Sequence, residues 1–217
     1  MIEHVYRRAA AAALVSRVIV ATDDQRILEA VHRFGGEAVL TAASHQSGTD
    51  RLAEVAASLD CDVVVNVQGD EPLLAPETID AAIAPFTTDP SLQMSTLRRR
   101  ISDAAELQNP NVTKVVLDQE GFALYFSRAG IPFTRAGQPP VTAWAHIGLY
   151  VYRRACLLRV AALPQTAMER AEALEQLRAL EHGIRIKAIE TTHATIGVDT
   201  PEDLARVRAL LAHPLAT

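Results

Sequence analysis

The sequence predicts an α/β protein: a mainly parallel sheet with helices on both faces and one antiparallel hairpin inserted into it. Two observations carry this. Short β-branched runs alternate with helix-period segments along the chain, the pattern of right-handed βαβ units. Two adjacent strand-like runs, 112–118 (VTKVVLD) and 121–127 (GFALYFS), are joined through the turn Gln119-Glu120-Gly121, as in a hairpin.

Residues 2–13 read as a helix because Ile2, Val5, Tyr6 and Ala9 share a face. Residues 17–22 (RVIVAT) form a short strand with an acidic end, Asp23-Asp24. A helix over 24–34 closes at Gly35-Gly36, a short strand covers 37–40, and 48–59 is helical. The run 62–67 (DVVVNV) is the clearest strand, and its three consecutive valines predict burial on both faces, as in a parallel sheet. A helix over 76–84 begins at Pro76. Arg98-Arg99-Arg100 reads as a surface strand end, and Gln138-Pro139-Pro140 as a loop. Residues 145–152 are a strand, 153–162 and 167–182 are helices with the second ending at Gly183, and 184–189 are a strand. Thr200 as N-cap, Pro201 at the first helical position and acids in the first turn start a helix that runs to Ala212. With no repeat, low-complexity tract or long linker, residues 1–217 read as a single domain.

The 217 residues are 49% hydrophobic and 22% charged, enough for a continuous core in a soluble globular protein. The net charge of -5 argues against a nucleic-acid footprint. It leaves room for an anionic substrate, because local cations or a metal override net charge. Cys61 and Cys156 have no metal-ligand spacing and read as reduced thiols of a cytoplasmic protein. Arg7-Arg8 before Ala9–Val15 imitates an export signal, but Glu3, Arg17 and Asp23-Asp24 break that pattern. No run approaches the ~18 apolar residues of a membrane span.

Ligands of open α/β sheets sit at the carboxyl ends of strands. Asp70, in VQGDEP (67–72), follows the most buried strand, with Gly69 allowing close backbone approach. Asp199 lies just before a helix start, where free NH groups and the dipole favour anions. Together the two carboxylates suit a hard divalent ion on a phosphate; alone, Asp199 is equally a helix-start residue. Ser47, Gly48, Thr49 and Arg51, in HQSGTDR (45–51), offer small groups, backbone NH donors and a cation for a nucleotide, or a plain capped helix. Arg128, after the second hairpin strand, can pair bidentately with a carboxylate. His146 begins a strand, and Glu175-Gln176 lie within the helix 167–182; both fit structural roles as well as polar recognition.

Over essentially its whole length the chain resembles the CMP-KDO synthetases, the 3-deoxy-manno-octulosonate (KDO) cytidylyltransferases. The strings that carry the resemblance are HQSGTDRLAEV (45–55), VNVQGDEP (65–72), KVVLDQEGFALYFSRAGIPF (114–133), HIGLYVYR (146–153), LEQLR (174–178) and GVDTPEDLARV (197–207). The resemblance implies a three-layer α/β sandwich of the nucleotide-diphospho-sugar transferase type, a homodimer formed through the hairpin region, and a cytoplasmic enzyme. It also implies the reaction: the C2 hydroxyl of KDO attacks the α-phosphate of CTP, giving CMP-KDO and pyrophosphate with Mg²⁺, for lipopolysaccharide synthesis. It puts Asp70 and Asp199 on the metal. It places Ser47, Gly48, Thr49 and Arg51 by the nucleotide, and Gln68, Arg128, His146, Tyr150, Glu175 and Gln176 around the sugar.

One family element, an N-terminal strand with a loop of the form PARxxSxRLPGKPL, does not occur in these residues; Met1–Val5 align with the helix after it. Residues 17–22 and 62–67 are then expected to have unpaired inner edges, and the triphosphate to lack cationic contacts. Three readings stand beside one another: a start internal to a longer active protein, a shortened protein of weak or no activity, and a sugar-binding or dimer-forming interaction protein.

Overall fold

The computed structural model describes residues 1–45, 47–139, 141–193, 197–198 and 200–212. In chain order the elements are α1 (Ile2–Ala11), β1 (Val20–Thr22), α2 (Gln25–Arg33), β2 (Ala38–Leu40), α3 (Gly48–Ala57), β3 (Val63–Asn66), α4 (Pro76–Ile83), α5 (Pro85–Thr88), β4 (Met94–Arg100), α6 (Ala104–Gln108), β5 (Lys114–Leu117), β6 (Ala123–Ser127), β7 (Trp144–Arg153), α7 (Arg154–Ala161), α8 (Ala167–Glu172), α9 (Gln176–Glu181), β8 (Ile186–Glu190) and α10 (Pro201–Ala212).

The α/β class and the inserted hairpin stand, and the sheet is mixed. β4 pairs with β8 in parallel, and β1 pairs with β2 in parallel as a separate ribbon. β7 runs antiparallel to β3, β4 and β5 alike. The order β6-β5-β7-β4-β8, with β3 on β7, curls until Phe122 bridges Lys187 and the hairpin turn meets β8. Gly121 makes that turn with φ +80°, a conformation that costs glycine nothing.

Helices cover both faces. Leu97, Ile147, Leu149 and Val151 pack with residues of α1, α4 and α5, including Ala9, Ile79 and Phe86. Met94, Val115, Phe126, Tyr152 and Ile186 pack on the other side with Ala56 of α3, Leu157 of α7 and Leu177 of α9. Ser95 donates from Oγ to the Ala82 carbonyl at 2.8 Å, tying the fully buried part of β4 to α4.

Three expectations need correction. First, the valines of β3 are half-buried rather than sealed, and the strand is antiparallel to its neighbour. Val63 and Val65 face one helical layer and Val64 the other, but only one edge of β3 is paired among the described residues. The inner edges of β1 and β3 are thus both without a strand partner there, as the sequence reading expected. Second, the arginine triplet ends an interior strand: Arg98 and Arg99 are half-buried and only Arg100 is exposed. Arg98 stacks on Trp144 with Cζ 4.4 Å from the ring centre. Third, the helix expected over 167–182 is two helices. Ala173, at φ 52° and ψ 51°, ends α8 in the left-handed conformation, and α9 begins at Gln176. A Cβ-bearing residue there is costly locally, so tertiary contacts must hold the break.

Candidate active site

A cavity of about 590 Å³ opens beside the carboxyl end of β3. Strand alternation builds one wall: His146, Gly148, Tyr150 and Tyr152 project from one face of β7, while Leu149 and Val151 project into the opposite core. Gly48 and Thr49 at the start of α3, Asn66 at the end of β3 and Gln68 after it, Asn111–Thr113 before β5, and Ala173–Gln176 contribute to the lining.

His146 packs edge-on against Phe126, with centroids 4.9 Å apart, and lies 5.4 Å from Tyr150. Burial pushes its pKa down to about 3, so the ring is neutral at pH 7. Its Nε2 is 2.8 Å from the Thr96 hydroxyl, which donates to the Leu149 carbonyl, also at 2.8 Å. With the hydroxyl proton used there, the network assigns the imidazole proton to Nε2 and leaves Nδ1 a lone pair. Burial likewise raises the pKa values of Tyr150 and Tyr152, keeping both phenols protonated.

The opposite wall is made by the break between α8 and α9. Glu175 accepts from the Thr49 hydroxyl at 2.8 Å, joining residues 126 apart in sequence at the cavity surface. Gln176 is 5% exposed, and its amide Nε2 is buried with no hydrogen-bond partner among the described residues. A buried donor left unmet is costly, and here it borders an open cavity. Beneath the break, Arg178 and Glu169 form a buried two-point pair: Nε donates to Oε2 at 2.9 Å and a terminal nitrogen to Oε1 at 2.5 Å. Burial raises the Glu169 pKa, but the Arg178 hydrogen bonds and charge outweigh it, and the net shift is downward.

Gly48, Thr49, Gln68, His146, Tyr150, Glu175 and Gln176 therefore share one cavity. Ser47, Asp70, Arg51 and Arg128 are not among its lining residues. Ser47 caps α3, accepting from the Asp50 NH at 3.2 Å. Arg51 binds the Thr41 hydroxyl at 2.5 Å and Asp23 at 3.1 Å, next to the ends of β2 and β1. Arg128 gives its guanidinium to three backbone carbonyls, those of Glu172 (2.7 Å), Pro110 (3.2 Å) and Ala173 (3.4 Å). It thereby links two cavity walls. Gly69 is not crowded: an added Cβ would meet only Ile2 Cδ1, at 3.7 Å. The open glycines of the cavity lining are Gly48 and Gly148, whose Cβ directions meet nothing within 4 Å.

Asp70 is half-buried, and its carbonyl accepts from the Val198 NH at 2.9 Å. This hydrogen bond brings the segment after β8 back to the loop after β3. Asp199 itself lies outside the described residues, and no group of three His, Cys, Asp or Glu side chains among those described forms a metal cluster.

Sequence reasoning missed Asn66, Arg99, Asn111, Thr113 and Tyr152 in the lining. Tyr152 was within reach, because the alternation that joins His146 to Tyr150 continues to it. Arg99 needed the strand β4, whose polar C-terminal half hides its period. Arg99 is paired across the cavity edge with Glu106.

The description "Cytidylyltransferase" belongs to the family model that matches residues 1–186. The 3-deoxy-manno-octulosonate cytidylyltransferase of Geobacter sulfurreducens is 52% identical over 217 residues, covering 95% of this chain and 87% of that protein. The enzyme of the same name from Syntrophus aciditrophicus is 54% identical over 214 residues, covering 97% and 86%. A solved structure of CMP:2-keto-3-deoxy-manno-octonic acid synthetase complexed with CTP superposes with a TM-score of 0.92 at 45% identity, covering 97% of this chain and 87% of that one. The 4-diphosphocytidyl-2C-methyl-D-erythritol synthase of Anaerococcus prevotii, at 11% identity and a TM-score of 0.64, shares the fold.

Proposed function

We propose, from the premise that this chain belongs to the 3-deoxy-manno-octulosonate cytidylyltransferase family, that it transfers CMP from CTP to KDO with release of pyrophosphate. The observation that carries the reading is the cavity itself. A neutral imidazole, two protonated phenols, an unmet buried amide donor and a Thr49–Glu175 bridge converge there at a strand's carboxyl end. Such a lining recognises a polyhydroxylated substrate through hydrogen bonds, and nucleotidyl transfer asks mainly for positioning and charge neutralisation.

The open face of Gly48, with Thr49, Ser47 and Arg51 on the same turn, suits the nucleotide. Gln68, His146, Tyr150, Glu175 and Gln176 suit the sugar. Arg128 supports that side by its grip on the carbonyls of Pro110 and Ala173. Asp70 and Asp199 would hold Mg²⁺. Hard carboxylate oxygens fit that ion, and the Val198 NH donates to the Asp70 carbonyl, which supports bringing the two acidic segments to one ion. When bound, the ion supplies neutralisation of triphosphate charge.

Among the described residues no helix is long and apolar enough to cross a membrane; our reading is a cytoplasmic enzyme serving lipopolysaccharide synthesis. We also read the hairpin side as a homodimer surface, because Leu124, Phe133 and Val141 are 61%, 88% and 63% exposed. Leu124→Asp is expected to give monomer in sedimentation or light scattering; an unchanged mass removes Leu124 from the interface.

Pyrophosphate release measured with CTP, KDO and Mg²⁺ tests the function. Release that needs all three is expected, and release independent of KDO, or none from the folded chain, overturns the reading. Asp70→Asn is expected to abolish turnover while the melting temperature holds. Near-normal turnover would take Asp70 out of the metal site.

A further inference from the structure

Lys114 has no exposed surface, although lysine is among the residues least often buried. It opens β5 directly behind the cavity wall Asn111–Thr113. Its Nζ donates to three backbone carbonyls: Val112 at 2.7 Å, Asn109 at 2.9 Å and Arg128 at 2.5 Å. An ammonium has three protons, so all are used. Burial lowers the Lys114 pKa, with the Glu172 charge opposing this and the Arg128 charge adding to it.

Each acceptor belongs to a part of the cavity frame. Asn109 and Val112 belong to the loop that carries Asn111, Val112 and Thr113 into the lining. That loop is placed against His146, whose NH donates to the Thr113 carbonyl at 2.8 Å. Arg128 holds the same loop through Pro110 and the opposite wall through Glu172 and Ala173. Glu172 in turn accepts from the Arg128 NH at 2.8 Å and the Ser127 hydroxyl at 2.6 Å. A buried cation that only filled space would be replaced by an apolar side chain at no loss. This one instead neutralises three converging carbonyl dipoles, of which the Asn109 carbonyl also accepts from the Val112 NH at 3.1 Å.

We infer that Lys114 is a positioning residue. Its buried ammonium fixes the Asn109–Thr113 loop against β6 and so sets the wall beside His146 where the sugar is recognised. The inference rests on the proposed function for its substrate, but its structural half does not. None of the three carbonyls that Lys114 holds belongs to the Gly48–Thr49 side of the cavity, so the expected effect is selective.

The experiment compares Lys114→Met with the parent in the pyrophosphate assay and by hydrogen–deuterium exchange. The Met variant is expected to raise KM for KDO at least ten-fold, hold KM for CTP within two-fold, and speed exchange in 109–113. Where the Met variant does not fold, Asn109→Ala carries the test. It removes the Oδ1 that accepts from the Asn111 NH at 2.9 Å, loosens the same loop from its exposed side, and is expected to raise KM for KDO about three-fold. Equal rises in both KM values overturn the inference, as does a loss of kcat alone. If the folded parent releases no pyrophosphate, the functional reading fails. Exchange then decides the positioning role: unchanged exchange in 109–113 of the folded variant refutes it.

Discussion

The two walls of the cavity are built by different means. The β7 wall follows from a period of two: once the strand is placed, the directions of His146, Gly148, Tyr150 and Tyr152 are fixed together. The wall at 173–176 follows from no period at all. It exists because one alanine takes a left-handed conformation and a buried ion pair holds the two helices that result. A regular element exposes its lining to local reasoning, while a break is set by contacts between residues far from the lining itself.

The largest expected effect bears on that second wall. Arg178→Met leaves Glu169 buried and unpaired, which costs about 3–5 kcal/mol. For a chain of this size the melting temperature falls by roughly 6–20 °C. Adding Glu169→Leu removes the stranded charge, and most of the loss returns. Thermal denaturation of the single and double variants checks this. A single variant within about 1 kcal/mol of the parent would show that Leu174 and Leu177 hold the break by packing alone.

The next effect bears on the β7 wall and reads out with pH. His146 has a folded pKa of about 3 against about 6.5 unfolded. The unfolded state therefore binds the proton first. The stabilising contribution is complete above pH 6.5 and is lost progressively as pH falls toward 3. By pH 4.5 the loss is on the order of 3 kcal/mol. The carboxylates with lowered pKa values among the described residues, Asp24, Glu37, Glu54, Asp89, Asp118, Glu169 and Glu172, lose their stabilising contribution mainly below this window, so His146→Gln should flatten the stability profile between pH 6.5 and 4.5. An unchanged profile would mean that water in the cavity reaches the ring well enough to solvate its charge.

The same contrast explains how much was legible in the sequence. Strand–helix alternation and the Gln119–Gly121 turn gave the class and the hairpin. Thr200 does cap α10, accepting from the Asp203 NH at 3.1 Å. The motif strings contain the seven predicted residues that share one cavity, yet they do not say what each does: Arg128 looks like a free cation in FSRAG, but its donors go to backbone carbonyls. Nothing local marks the break inside 167–182, because alanine, leucine and glutamate all favour helix. The Arg178–Glu169 pair that overrides this preference joins residues nine apart, beyond helical neighbour spacing. β3 reads as sealed because valine runs usually are, but burial depends on a neighbouring strand, and one of its edges has none among the described residues.

The smallest effect isolates the break from everything that holds it. Ala173 at φ 52° carries a left-handed cost of about 1–2 kcal/mol, which glycine escapes. Glycine also gains unfolded-state freedom, at a cost of about 0.4–1 kcal/mol. Since Ala173 is exposed and its side chain fills no core, Ala173→Gly should come out stabilising by about 0.5 kcal/mol, a rise of roughly 1–2 °C in melting temperature. KM for KDO should hold, because the geometry of Glu175 and Gln176 is unchanged. Ala173→Val has the opposite sign, since a β-branched residue is a severe outlier at positive φ, and it should raise KM for KDO as well as lower stability. If glycine destabilises and valine is neutral, the chain in solution continues as one helix through residue 173, and the wall that presents Glu175 and Gln176 is not formed in the free protein.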